Sequence, residues 1–366
     1  MDFTYDAEQE ALADVARQAM DREVGGELVR RLADDPVGHD DRLWSTLVEL
    51  GWTGLVIPES HGGAGGGLVD LCIVLPETGR VPLPGPFFSS AVFATLAARA
   101  LGADELLEDL ASGQARGTVA LHEFGHGDPL GSVHTRARRR GAGWVLDGLK
   151  PLVLDGHTAD WAIVVAGTEE GRRGFLVEQP GGLAVPALDP TRKVARLELD
   201  ERPCRPIGPP GNQASVWRRI MDDTAVALAS ETLGTADRAL GMAIDYAKER
   251  VVFDRPVASF QVAKHKIVDM FHLVEMARVA VQFAAWASDA EDPRRERAAA
   301  MAAGYTSEAA VKVTGDDIQL HGGVGFTWAN DAQFLFKRAK QNDVWLGGHA
   351  SHRQRLAHML VDTASA

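Results

Sequence analysis

The sequence predicts an α+β protein built in three consecutive parts: helical, then β, then helical again. Apolar residues recur at three- and four-residue intervals from about residue 5 to 115 and from about 215 to 360, the period of helices packed on one face. From about 117 to 210 that period stops, and short runs are separated by Gly, Asp and Pro, as in strands and turns. The chain has 366 residues, enough for a sizeable core and two or three structural units. The expected boundaries are 1–116 for an N-terminal all-α domain, 117–212 for a middle β-sheet domain and 213–366 for a C-terminal helical domain.

Composition narrows the function. The hydrophobic fraction of 45% and charged fraction of 24% are ordinary for a globular chain. A formal net charge of −13 argues against nucleic acid and anionic membranes as partners, so an anionic ligand needs a local basic patch. Cys72 and Cys204 carry no metal spacing and suit a reducing compartment. The start, MDFTYDAEQEALADVARQ, is acidic and amphipathic, unlike a signal or transit peptide. SSAVFATLAARALG is too short to span a membrane and contains Arg99.

In the first part, Asp6 can cap the helix AEQEALADVARQAMDREV, and DRLWSTLVELGW reads as a second short helix. The glycines of PESHGGAGGG lack the Lys-Ser/Thr of a phosphate loop and read as a turn before a buried helix. Pro84 and Pro86 break the chain before the next helix. In the middle part, GTVALHE, VHTRARRR, DWAIVVAGT, RGFLVEQ and VARLELD read as strands. WVLDGLKPLVLDG, with its alternation and Asp-Gly pairs, reads as a hairpin.

The third part is dominated by Thr224–Met276, two long helical patterns flanking the break VVFDRPVASFQ. The first helix is almost wholly apolar, as for a helix buried all round, and holds a single acid, Glu231, within VALASETLG. The break places Arg250, Phe253, Arg255 and Gln261 within a dozen residues, a plausible place for a phosphate-bearing ligand. Arg250, Phe253, Asp254, Pro256, Val257, Phe260 and Gln261 resemble the Arg-x-x-Phe-Gly-x-Pro-Ile-x-x-Phe-Gln element of the acyl-CoA dehydrogenase family, with Asp254 in place of its Gly. Gly54, Pro58, Glu59, Gly62, Gly63 and Gly65 resemble a second family segment. Gln319, Gly322, Gly323 and Gly325 of IQLHGGVGF resemble a third, Gln-x-x-Gly-Gly-x-Gly. The resemblance spans nearly the whole chain and implies an N-terminal helical domain, a middle β-domain and a C-terminal four-helix bundle that also forms the oligomer interface.

What the resemblance implies about chemistry is FAD-dependent α,β-desaturation of an acyl-CoA, with electron-transfer flavoprotein or a similar acceptor taking the electrons. Arg250, Phe253, Phe260, Gln261, Gln319, Gly322 and Gly323 would then bind FAD, Arg250 pairing with the pyrophosphate. Read as residues alone, Phe253 and Phe260 are equally suited to core packing, and the glycines to a helix C-cap and tight turn.

The reaction needs a base for the α-proton. The family's usual Glu position is Leu346, in Trp345-Leu346-Gly347-Gly348, and a smaller branch's position on the first long helix is Thr224. Neither is an acid. Glu231 lies seven residues after Thr224, almost two full turns, so both share a helix face. A carboxylate in such apolar company is either paired or raised in pKa, and a raised pKa suits a base, so Glu231 is the candidate catalytic residue. The alternative is a Glu paired to an Arg of another helix or subunit.

The β part departs from the family where its own flavin would lie. Lys150 is followed by Leu152, Val153 and Leu154 where the family has Trp-x-Thr, and His122, Glu123, Phe124, Gly125, His126 and Gly127 stand for a Thr-Glu-Pro-Gly-x-Gly-Ser-Asp strand end. The chain looks most like the compact bacterial branch of steroid or other bulky acyl-CoA substrates. It is expected in the cytoplasm, as a homo-oligomer or with a paralogous subunit. Two alternatives stand beside the enzyme. One is a half-site subunit lending Arg250 and Gln319 to a catalytic partner. The other is a flavin oxidase or monooxygenase of the same fold. His349 and His352, three apart, lack an evident third metal ligand and read as part of an amphipathic terminal helix, so no metal is expected.

Overall fold

The computed structural model describes residues 5–123, 127–131 and 133–364. Six helices come first: α1 (Ala7–Glu23), α2 (Gly26–Asp34), α3 (Asp41–Glu49), α4 (Leu68–Arg80), α5 (Thr95–Leu101) and α6 (Leu107–Ala111). Seven strands follow: β1 (Gly117–Ala120), β2 (Arg136–Arg140), β3 (Gly143–Leu154), β4 (Trp161–Thr168), β5 (Gly171–Glu178), β6 (Leu183–Val185) and β7 (Val194–Pro206). Then come α7 (Ala214–Glu249), the two-residue strands β8 (Val251–Val252) and β9 (Arg255–Pro256), α8 (Gln261–Asp289), α9 (Arg295–His321), α10 (Ala332–Trp345) and α11 (Gly348–Ala364). An N-terminal helical domain, a middle sheet domain and a C-terminal helical domain thus follow one another as the hydrophobic periods require.

Local chemistry sets the ends. Asp6 caps α1 with a full capping box: its carboxylate accepts from Glu8 N at 3.0 Å and Gln9 N at 2.9 Å, and Gln9 Oε1 accepts from Asp6 N at 3.3 Å. Asp40 caps α3 in the same manner, through the N–H groups of Arg42 and Leu43. The glycines after Pro58 form turns, as expected: Gly62 and Gly65 have φ of +79° and +70° and lead into α4.

By compactness the chain divides into two units. One contains the described residues up to Leu28, Cys72–Leu83 and the chain from Ala225 onward; the other contains Val29–Leu71 and Pro84–Thr224. The second unit holds the sheet, ordered β1-β4-β2-β3-β7-β5, with β6 on β7. Because β5 also pairs with β4, the path closes on itself. β1 runs parallel to β4, while β3, β7 and β5 pair antiparallel. Leu146, Val153, Val164, Phe175 and Leu197 fill the sheet's core.

The hairpin expected in WVLDGLKPLVLDG is absent. Residues 143–154 form one strand, β3, paired along β7 with register shifts between Leu146 and Gly148 and between Lys150 and Val153. Asp147-Gly148 is therefore a bulge rather than a turn, with Gly148 at φ +149°. The alternating pattern is the same in both cases; only a pairing partner on either side, here β2 and β7, separates them.

Candidate functional site

The candidate residues fall in two places, the middle of α7 and the chain just past the C-terminal ends of α7 and α9. In its middle, α7 is buried on every side from Ala225 to Ala236. Its backbone touches that of α4. A Cβ on Gly234 would lie 1.8 Å from the Pro76 carbonyl oxygen, and one on Gly79 would lie 1.8 Å from the Glu231 carbonyl oxygen. Pro76 has no N–H to give to the carbonyl four residues back, Cys72. Ser230 Oγ donates to that carbonyl at 3.0 Å, and Thr235 Oγ1 donates to Gly79 O at 3.0 Å. The serine and threonine on either side of Glu231 thus complete hydrogen bonds that α4 cannot make internally.

Glu231 is 1% exposed. Its Oε1 accepts from Arg338 Nη1 at 3.0 Å and its Oε2 from Asn342 Nδ2 at 3.1 Å, both donors on α10. Arg338 is fully buried and donates on to Leu83 O at 3.1 Å, while Asn342 also donates to Thr232 Oγ1 at 3.0 Å. Of the two fates open to a carboxylate here, pairing is the one found. Leu346 is buried and lines a small cleft with Ala225, Leu228, Ala229, Asp343 and His352. The Thr224 hydroxyl turns back to donate to Ile220 O at 2.7 Å. His349 Nδ1 lies 2.9 Å from Asp343 Oδ1, and no group of three or more potential metal ligands occurs among the described residues.

The second place begins where α7 stops. Arg250 N donates to Tyr246 O at 2.8 Å, and Val257 N donates to Arg250 O at 2.8 Å, closing a miniature hairpin over β8 and β9. Its two turn residues, Phe253 and Asp254, have φ of +52° and +60°. Such a turn needs left-handed backbone twice, and Asp tolerates it better than most side chains, so Asp254 can stand where the family has Gly. Phe253 is 85% exposed as a result, and the Arg255 guanidinium lies 4.0 Å from the half-buried Phe260 ring. Arg250 and Gln261 are exposed, and Arg250 has no ion-pair partner among the described residues.

Gln319 is exposed on the last turn of α9. Gly322 leaves the helix at φ +63°, and a Cβ on either Gly322 or Gly323 would meet nothing within 4 Å. The backbone there lies open. His321 joins this turn to the Arg250 hairpin: its ring stacks on Tyr246 with centroids 4.3 Å apart and planes 29° apart. The same ring's Nδ1 lies 2.9 Å from Asp317 Oδ1 and 3.0 Å from Asp317 O. Asp317 is fully buried, and burial pushes its carboxyl up. Burial also opposes protonation of His321, but the hydrogen bonds and charge of Asp317 outweigh it and hold the imidazole above its ordinary value. The Tyr246–His321 stack thus links the end of α7, which leads into Arg250, to the end of α9, which carries Gln319, Gly322 and Gly323. Glu231 lies nineteen residues back from Arg250 along α7, about 28 Å by helix rise.

Sequence reasoning missed Arg338, Asn342, Tyr246 and Asp317. One signal was present for Arg338: a lone cation on the apolar face of AQFLFKRAK needs a buried anion.

In the sheet unit, Lys150 is fully buried and donates to Glu123 Oε1 at 2.6 Å and Leu121 O at 3.1 Å. Burial lowers its ammonium to about 8 and the neighbouring His122 imidazole to about 4. Leu152 is half exposed and Leu154 buried, and neither offers a polar group. Phe124, Gly125 and His126 lie outside the described residues.

Residues 6–118 match the profile of the acyl-CoA dehydrogenase N-terminal domain and residues 214–364 that of the acyl-CoA dehydrogenase C-terminal domain. The chain belongs to the acyl-CoA dehydrogenase family. It is 35% identical to "Acyl-CoA dehydrogenase IpdE2" of Mycobacterium tuberculosis over 92% of each chain. It is 31% identical to the protein of that name from Mycolicibacterium smegmatis, over 95% of this chain and 97% of the other. Among solved structures, a variant of the "Tcur3481-Tcur3483 steroid ACAD" superposes with a TM-score of 0.90 at 31% identity, covering 98% of this chain and 99% of that one. The ChsE4-ChsE5 complex of Mycobacterium tuberculosis gives 0.89 at 29% identity over 99% of both chains. These relatives make the chain an oxidoreductase of the acyl-CoA dehydrogenase type. Among the described residues no helix is long and apolar enough to cross a membrane.

Proposed function

We propose that the protein serves FAD-dependent α,β-desaturation of an acyl-CoA thioester with a bulky, steroid-like acyl group, in the cytoplasm and within an oligomer. The observation that supports this most is the joined surface of Arg250, Phe253, Gln261, Gln319 and Gly322–Gly323. It presents a cation with no ion-pair partner among the described residues, an exposed aromatic ring, two amides and an open glycine backbone. That donor set fits the pyrophosphate and adenine half of FAD: Arg250 for the phosphates, the glycine N–H groups for polar edges, and Phe253 and Phe260 for stacking. When bound, FAD supplies the two-electron oxidant for the reaction. This chain's residues bind and orient it. Electron-transfer flavoprotein is the proposed acceptor.

A second reading has an observation of its own. Both oxygens of Glu231 are held, by Arg338 and Asn342, position 346 is Leu, and Leu152 and Leu154 offer nothing polar to a flavin ring. These favour a half-site subunit whose cofactor and base are completed by a paralogous partner. The similar ChsE4-ChsE5 structure is itself a complex of two differently named chains.

One preparation separates the readings. The purified chain, alone and with candidate paralogues, is tested for a bound-flavin spectrum and for acceptor reduction with 3-cyclohexylpropanoyl-CoA. A yellow, active homomer supports the complete enzyme, and flavin gained only with a partner supports the half site. Flavin in neither state sinks both. Glu231→Gln decides the remaining role: an unchanged turnover in a competent assembly removes Glu231 as the base.

A further inference from the structure

We infer that His321, set by Asp317 and stacked on Tyr246, is the positioning residue that holds the Gly322–Gly323 turn against the Arg250 hairpin and so keeps the two FAD-facing segments in one surface. This deepens the proposed function and rests on it for the identity of the ligand.

The two segments are far apart in sequence, and each ends a helix. The α7 end carries Arg250, and the α9 end carries Gln319 and the two glycines. A glycine turn where a methyl placed on either residue would meet nothing within 4 Å has no packing of its own to fix it. The neighbouring side chain that ties it down is His321, which is buried while Gln319, Gly322 and Gly323 around it are exposed. Its ring faces Tyr246 at 4.3 Å, and Tyr246 O accepts the N–H of Arg250 at 2.8 Å. One stack therefore touches the last turn of each helix. Gly325 adds a close approach from the other side, since a Cβ there would lie 2.9 Å from His321 Cβ.

Asp317 gives the ring its orientation. It is one turn back on α9 and fully buried; its carbonyl oxygen lies 3.0 Å from His321 Nδ1 and its Oδ1 2.9 Å from the same nitrogen, and among the described residues its carboxylate oxygens have no other close partner. A buried carboxylate with one imidazole as its close partner is stable only while that contact is made. The charged and titratable groups around the pair are few. Asp317 lies on α9, Tyr246 and Arg238 lie on α7, and the α8 cation Lys266 is taken up by Asp316 at 2.6 Å. The pair holds its shared proton tightest below the ordinary imidazole range and loses it as pH rises, because His321 is raised.

The test uses the full chain, with its partner if one is needed for flavin. Amide hydrogen exchange of Gly322–Gly325 and of Val251–Val257 is followed against pH, with FAD retention on dilution as the second readout. The expected results are exchange accelerated at least about tenfold in both segments by His321→Ala and by Tyr246→Ala, with Tyr246→Phe retaining protection. Asp317→Asn is expected to remove the pH dependence of that protection while leaving the far-UV spectrum unchanged. FAD retention is expected to fall about tenfold or more in the two Ala variants. Exchange confined to the 322–325 turn in His321→Ala, with the Arg250 hairpin unaffected, would overturn the positioning role. If exchange responds as expected while no state of the wild type binds FAD, the stack stands as positioning and the ligand assignment falls.

Discussion

The middle of α7 and its C-terminal end are built on opposite principles. Around Glu231 the buried groups are answered across helices: the carboxylate by Arg338 and Asn342, the Cys72 carbonyl by Ser230, the Gly79 carbonyl by Thr235. Around Arg250 the side chains are exposed, the turn is left-handed at two non-glycine residues, and the cation has no ion-pair partner among the described residues. A buried ion pair is poor evidence for net stability but expensive to break. An exposed cation costs little to leave alone and is available to a ligand. The difference teaches that the acid which looked most like chemistry in the sequence is buried and paired, while the plain surface hairpin leaves its cation and aromatic ring open to solvent.

The comparison can be broken most sharply at Arg338. Arg338→Ala strands the Glu231 carboxylate in the core and is expected to destabilise the fold by about 3–5 kcal/mol, read by chemical denaturation. A loss below about 1 kcal/mol would mean that Glu231 is hydrated and the buried clamp is wrong. Next, Gly234→Ala drives a methyl into the Pro76 carbonyl and should cost about 1–3 kcal/mol, with Gly241→Ala on the same helix, where a Cβ meets nothing within 4 Å, as the tolerated control. A smaller effect is expected at the exposed end from pH. His321 is raised by its pair with Asp317, so its contribution is fully present below the ordinary imidazole value near 6.5 and fades as pH rises through the folded value. Thermal melting of wild type against His321→Gln should converge on the alkaline side; curves that stay parallel would show that the pair does not titrate. Smallest of all for stability is Arg250→Ala, expected within about 0.5 kcal/mol of wild type, yet it should weaken FAD retention by about tenfold or more. A large stability loss there would make Arg250 structural and erase the contrast.

The fold was largely legible. Helical and strand periods foretold the helical, sheet and helical order of the chain, and Asp6 its cap. What failed did so for reasons of partnership. WVLDGLKPLVLDG has the same alternation whether Asp147-Gly148 turns the chain or bulges it, and the choice was made by β2 and β7 on either side. Glu231 reads as an isolated acid because its partners, Arg338 and Asn342, lie more than a hundred residues away on α10. His321 stands out in the sequence only as a member of IQLHGGVGF, because its stack is with Tyr246, a neighbour only in space. Periodicity is a local property, and ion pairs and ring stacks between distant helices are not.

The Ser230 hydroxyl on the Cys72 carbonyl has a consequence for how this chain can vary. Pro76 and Ser230 act on the same carbonyl, that of Cys72. Ser230→Ala removes one hydrogen bond from the buried Cys72 carbonyl, whereas Pro76→Ala gives that carbonyl an N–H of its own helix to accept from. The penalty of the first change should therefore shrink in the background of the second, a coupling that a double-mutant cycle would measure as about 1 kcal/mol. Positions 76 and 230 are expected to drift together, and a descendant that keeps the proline has little freedom at the residue beside Glu231.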